Sequence, residues 1–361
     1  MSEQTPPQLH ARTLGDLAEL VPYLVGFEPR DSLVALVIDR GHVAVTARAD
    51  LADAGQPGGI ETILGRLLAR YPQTPGIYLM AYTDNAQSGW DLLQRGQQHL
   101  GMKWANSMLI NGDTWYAPGG ATGAVNRSGP LAAEATFHGL QRRDSRRAVA
   151  ADLASPPDTP AMLAQLEAAT DALADLPQTA DIATLIDRSQ ALVNSHLSHP
   201  ERLTTPDAIE MAILTLHNDV RDAALLSITT TNAEQHSKLW TTVVQRTPAV
   251  TAEAPLFLAG MASWINGDGA RAAVALQRLE AEPRPLLIGS QRRLAEIIDN
   301  VIPPQVWDIA RHRGLLGAHP AARAAAIRTA GSWETVTPPQ PTDRPDPRRH
   351  SQAPRRLGPS I

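Results

Sequence analysis

A chain of 361 residues with 43% hydrophobic residues can bury one large core or two ordinary ones, and with only 4% aromatics those cores must be filled by alanine, leucine and valine. A net charge of −5 argues against a nucleic-acid or membrane-surface binder, and the absence of cysteine excludes disulfides, thiolate zinc sites and cysteine nucleophiles. No apolar run approaches the roughly 20 residues that cross a bilayer, and the N-terminal residues lack the basic start and apolar stretch of a signal peptide, so the expected compartment is the cytoplasm.

Residues 1–12 read as a loose leader. Thr13-Leu14-Gly15-Asp16 opens a helix, with Thr13 as N-cap and Asp16 in the first turn. Pro22 is expected to stop that helix near Val21, because a proline disfavours helix in the residue before it. Ser32–Ile38 is apolar on both alternating faces and rich in β-branched residues, the pattern of a strand covered from two sides. Asp39-Arg40-Gly41 turns the chain, and His42–Arg48 returns with polar and apolar residues alternating, which makes a hairpin. With Asp39 opposite His42, Leu33 falls opposite Arg48 and Asp31 opposite Asp50; a slip of one residue changes those pairs. Phe27, one of three phenylalanines, is expected to plug the core beside the first strand.

Further along, Ile60 to Leu68 has helical spacing and is closed by Pro72 and Pro75, Gly76–Tyr82 is a strand, and Ser88–Leu100 a helix. Ala105–Ile110 and Thr114–Tyr116 are strands joined at Asn111-Gly112, and Pro118–Gly123 reads as a loop. Strands alternating with helices predict a mixed sheet flanked by helices, an α/β domain over 13–130. From Leu131 no strand is predicted. Helical stretches broken at prolines and at Gly267 make residues 131–331 an all-helical domain, in which Ala252–Pro283 forms a helical hairpin with small residues at Gly260, Ala272, Ala273 and Ala275. Residues 332–361 form a disordered tail rich in proline and arginine. The fold class is α+β.

Three groups of residues carry a family resemblance. Pro22-Tyr23-Leu24-Val25-Gly26-Phe27-Glu28-Pro29-Arg30-Asp31-Ser32-Leu33-Val34 opens it, Val220-Arg221-Asp222-Ala223-Ala224 continues it, and Leu258-Ala259-Gly260, Trp264, Gly267-Asp268-Gly269-Ala270, Pro303-Pro304 and Trp307 close it. Together they resemble an actinobacterial family designated domain of unknown function 4192. Thirty arginines against two lysines fit the GC-rich genomes of that group. The resemblance implies no reaction. Members frequently carry a cysteine pair near the position of Trp115–Gly119, and this chain lacks it.

The candidate site is the sheet rim bearing Asp31, Ser32, Arg48 and Asp50. An arginine flanked by carboxylates at a strand end could hold a phosphate or carboxylate, or could simply be tied by ion pairs that close the strand. Gly119-Gly120-x-x-Gly123 could offer amides to an anion but lacks the Lys-Ser/Thr pair of a P-loop. His196 and His199 have a spacing that suggests a metal until Pro200 puts His199 at a helix end, without a third ligand nearby. Arg142, Arg143, Arg146 and Arg147 read as a solvated helix face, and His236 as a packing residue near Trp240. No nucleophile–base set can be assembled, so no catalytic residue, metal or cofactor is assigned. The expected role is a non-catalytic, protein-binding adaptor whose partner is another protein rather than a membrane or nucleic acid. The alternative is a small anionic ligand, or an enzyme, with its site at the rim near Arg48.

Overall fold

Thr13 starts the regular structure by closing both halves of a capping box. Its hydroxyl accepts the Asp16 N–H at 3.1 Å, and the Asp16 carboxylate accepts the Thr13 N–H at 3.1 Å. The computed structural model describes residues 9–312 apart from 40, 73–75, 102–104, 139, 175–181 and 282–285. The first part runs α1 (Leu14–Val25), β1 (Ser32–Asp39), β2 (His42–Asp50), α2 (Leu51–Gly55), α3 (Gly59–Arg70), β3 (Gly76–Tyr82), α4 (Ala86–Leu100), β4 (Ala105–Asn111), β5 (Thr114–Tyr116) and β6 (Thr122–Ala124). Helices follow: α5 (Pro130–Phe137), α6 (Arg146–Asp152), α7 (Pro160–Ala174), α8 (Ile182–His196), α9 (Thr205–Leu214), α10 (Asn218–Leu226), α11 (Ala233–Arg246), α12 (Glu253–Ile265), α13 (Gly269–Glu280), α14 (Ile288–Asp299) and α15 (Val306–His312). The fold is α+β: a mixed sheet with its helices, then helices alone among the described residues. No helix there is long and apolar enough to cross a membrane.

The sheet order is β2-β1-β3-β4-β5-β6, with β3 and β4 parallel and every other neighbour antiparallel. A parallel pair needs a crossover, and α4 supplies it. Leu33, Ala35, Val37, Ile77, Leu79, Ala81 and Leu109 pack with Ile60, Leu64 and Leu67 of α3 and Leu92, Leu93 and Leu100 of α4 into one core. Leu33 through Val37 are all buried, as a strand apolar on both faces requires. The β4–β5 hairpin turns at Gly112-Asp113, with Gly112 at φ 57, one residue later than the expected Asn111-Gly112; Asn111 is the last residue of β4 and faces Thr114.

Three further expectations are corrected. Pro22 does not end α1, which continues to Val25 and is capped by Gly26 at φ 80. The proline removes one helical N–H bond, but Ala18, Leu20, Val21, Pro22 and Val25 are all buried, and that packing outweighs the loss. The hairpin register also shifts. Asp39 faces His42 and Ile38 faces Val43, but Val37 faces Val45, which leaves Ala44 as the extra residue of a β-bulge. Beyond the bulge Arg48 faces Val34 instead of Leu33, and Asp50 faces Ser32 instead of Asp31. The Pro118–Gly123 loop is the turn into β6, with Gly119 and Gly120 at φ 85 and 87. Gly123 lies under Trp115, whose ring would stand 2.8 Å from any Cβ there.

Every residue of α12 is buried. At Gly260 an added Cβ would lie 2.8 Å from Leu294 Cδ2 and 3.0 Å from the Ala275 Cβ, so three helices meet where glycine allows it. Trp264 and Trp307 pack edge to face at 6.2 Å, and their indole N–H groups donate to the Ile302 and Ile228 carbonyls, each at 2.8 Å. The segment between α5 and α6 is tied to the segment between α1 and β1. Arg143 N–H donates to the Gly26 carbonyl and Glu28 N–H to the Arg143 carbonyl, both at 2.9 Å, in a short bridge beside Phe27. The described residues accordingly belong to one compact unit, Met1–Arg313. The proline- and arginine-rich tail lies outside the described residues.

Candidate functional site

The hairpin brings Ser32, Arg48 and Asp50 together. Ser32 is fully buried; its hydroxyl donates to the Arg30 carbonyl at 2.6 Å and accepts from Arg48 Nε at 3.0 Å and Nη2 at 2.8 Å. Arg48 Nη2 also donates to Asp50 Oδ1 at 2.6 Å. The guanidinium lies 5.8 Å from the centroid of the Phe27 ring, which is itself 2% exposed. Asp31 stands apart from this cluster. At φ 40 it turns the chain into β1, accepts the Thr83 hydroxyl at 3.1 Å, and receives the Leu51 N–H on its carbonyl at 2.8 Å.

Two of the three Arg48 hydrogen bonds use the planar fork, so Arg48→Lys is expected to destabilise the fold by about 1–3 kcal/mol. Chemical denaturation checks this; an unchanged midpoint would mean that the fork contributes nothing to the fold.

In the run Arg142–Arg147, Arg143 and Arg147 are exposed as a solvated face expects, whereas Arg142 and Arg146 are partly buried. Arg142 pairs with Glu28 at 3.4 Å, Arg143 with Asp152 at 2.8 Å, and Arg146 approaches Asp50 Oδ2 at 3.8 Å. Burial, and then the neighbouring Arg48 charge, pulls the Arg146 guanidinium below its ordinary pKa. Two guanidiniums therefore share one half-exposed carboxylate. Arg146 was visible in the sequence only as one of four arginines; nothing there names Asp50 as its neighbour.

Both guanidiniums line one end of a cleft of about 400 Å³. Along one wall run six consecutive residues of β2, Val43 to Arg48. Successive side chains of a strand point to opposite faces, so six in a row can line a cavity only where it follows the strand's edge. β2 is the outermost strand and pairs with β1 alone among the described residues. The Leu51 N–H to Asp31 carbonyl bond sets the ladder: Ala49, Ala47 and Val45 exchange bonds with β1, and Arg48 and Thr46 turn their N–H and C=O outward. The facing wall is apolar, formed by Ile297, Ile298, Val301, Ile302, Pro303 and Pro304, with Leu24, Ala270 and Trp264 completing it. Val301 stands at φ 50, where a helix ending in this way ordinarily has glycine: its N–H bonds to Ile298 O and the Ile302 N–H to Ile297 O. It packs against the sheet core in return.

A second depression of about 580 Å³ lies on the other side of Leu24 and Gly267, which line both. Its charges are matched within it. Asp152 takes Arg143 at 2.8 Å and Arg271 at 3.7 Å, Lys238 takes Glu234 at 2.6 Å, and Asp268, its carboxyl pushed up by burial, caps α13 through the Arg271 N–H at 2.9 Å. The β2 cleft has no carboxylate in its lining, and that imbalance makes it the stronger candidate.

Elsewhere, His196 sits 3.2 Å from Asp207 and His199 3.0 Å from Glu201, and no group of three or more metal-ligating side chains occurs among the described residues. The Gly119–Gly123 turn does not line the cleft.

No curated protein and no solved structure matches this chain. A family model does match, over residues 15–296, which span α1, the whole sheet and the helices through most of α14. The segments that frame the cleft on the α1 and α13 sides, Leu24–Phe27 and Gly267–Ala270, both fall inside the match, and the chain belongs to the family described as "Domain of unknown function (DUF4192)".

Proposed function

We propose that this protein is a non-catalytic adaptor that takes up an extended segment of another protein along the open edge of β2. One observation carries the reading: the edge of β2, unpaired among the described residues, lies inside an apolar cleft through six consecutive residues. An exposed sheet edge is a template for a further strand, and a cleft beside it supplies side-chain pockets. The reading keeps the cytoplasm as compartment and an actinobacterial source, on the cysteine-free, arginine-rich composition.

Thr46→Pro tests it. Thr46 turns its N–H away from β1, so proline there removes a donor from the incoming strand while leaving the β1 bonds in place. The probe is a degenerate pool of hexapeptides alternating β-branched and random residues, made both as free acids and as C-terminal amides. Wild type is expected to retain pool members and Thr46→Pro to lose at least about tenfold in affinity, with a similar melting temperature. Hydrogen exchange on the wild type is a second readout: the Thr46 and Arg48 amides slow when the pool is added. Equal retention by both proteins, with no slowing, overturns strand addition. A wild-type dimer that Thr46→Pro makes monomeric would assign the edge to a second copy.

A small anionic ligand at Arg48 remains the second reading, favoured by the charge shared between Arg48 and Arg146. Stabilisation by millimolar phosphate, without response to the peptides, would decide for it.

A further inference from the structure

We infer that the segment taken up along β2 ends in the cleft, its C-terminal carboxylate seated between Arg48 and Arg146. This rests on the strand-addition reading and specifies its partner: a protein with an extended, apolar C-terminus. The lining of the cleft along β2 stops at Arg48, and neither Ala49 nor Asp50 contributes to it. A chain that ran through would need an exit at that end, where Arg48 and Arg146 stand instead. Both charged residues in the lining are arginines, and they face Asp50 as their common carboxylate, at 2.6 Å and 3.8 Å. Asp53 acts on Arg146 only from beyond ion-pair distance, so a second carboxylate arriving there meets two guanidiniums with one carboxylate within 4 Å, in a place where half-burial makes each charge-assisted hydrogen bond stronger than in water. The remaining lining is apolar apart from Thr46, Tyr71 and Gln305, which suits alternate β-branched or aliphatic side chains. The carboxylate end at Arg48 sets the added strand parallel to β2, since β2 itself runs from Val43 toward Arg48.

The chain's own tail is a poor occupant. Pro354 and Pro359 lack the N–H that a ladder needs, and Arg355 and Arg356 repeat the charge of the cleft.

The same peptide pools test the inference on the full chain. Free acids are expected to bind about tenfold tighter than amides, the usual scale for a charge-assisted pair. Arg146→Gln, which gives up the 3.8 Å contact to Asp50 and the longer-range attraction of Asp53, should erase that preference. Asp50→Asn, which removes the competing charge and still accepts from Arg48, should widen it. Acids and amides that bind equally, both sensitive to Thr46→Pro, would overturn the carboxylate anchor and leave strand addition standing. A preference that survives Arg146→Gln would overturn the anchor as well, and so would amides bearing an internal glutamate that match the acids. Pools that bind nowhere would sink both readings. Deleting Pro338–Ile361 should leave the affinities unchanged; a gain on deletion would give the cleft to the chain's own tail and overturn the assignment of a partner.

Discussion

Phe27→Ala is expected to cost about 3–5 kcal/mol of folding stability, the range for truncating a buried aromatic side chain. Phe27 is 2% exposed, is itself the residue bridged to Arg143, and has the guanidinium of Arg48 over its ring. Its loss would open a cavity and remove the ring against which Arg48 is held. Phe27→Leu refills most of that volume and should cost less than about 1.5 kcal/mol. Urea denaturation of the two variants beside wild type checks the ranking. A midpoint unchanged in Phe27→Ala would mean that the ring carries none of the packing between the sheet and the bridge.

The second large effect is a pH dependence from His236. This side chain is 1% exposed on α11, its Nδ1 has no hydrogen-bond partner among the described residues, and burial pushes its pKa down from 6.5 to about 4. The folded-state pKa is depressed, so the unfolded chain takes up the proton first as pH falls. The stability that neutral His236 contributes is complete above about pH 6.5 and is lost as pH falls through about 4, on the order of 3 kcal/mol in all. Other groups titrate in the same window, so the measurement is a difference: stability at pH 7 minus stability at pH 4.5, for wild type and for His236→Leu. The wild type should lose more. Parallel profiles would show that His236 accepts its proton equally well in both states.

What the sequence revealed depended on whether the determining interaction was local. The β1 burial pattern, the Thr13–Asp16 cap and the β4–β5 hairpin are written in neighbouring residues, and all three are present, the hairpin turning at Gly112-Asp113, one residue later than its Asn-Gly signal suggests. The continuation of α1 through Pro22 was not legible, because what holds it is packing against distant chain. The bulge was hidden for a different reason: Ala44 fits either side of an alternating pattern, so one extra residue leaves no trace in the composition. β6 has only Thr122, Gly123 and Ala124 to announce it, and its place depends on Trp115. At the site, Ser32, Arg48 and Asp50 could be grouped because they lie on one hairpin, whereas Asp31 turns to Thr83 on another strand end. Arg146 and the apolar wall of α14 come from elements far along the chain. No local pattern says which rim they will face.

The same separation has a consequence for how the molecule is made. Val43–Arg48 leaves the ribosome long before Ile297–Gln305, the segment that later lines the cleft beside the strand's edge. At about 5–20 residues per second, the nascent sheet stands without that wall for roughly tens of seconds. An open edge of this kind seeds association between growing chains. The kink at Ala44 and the charge of Arg48 already belong to the hairpin at that stage, and both discourage a stray strand from lying flat against it. Features that shape a docking cleft in the finished protein would therefore serve first to guard the newborn one.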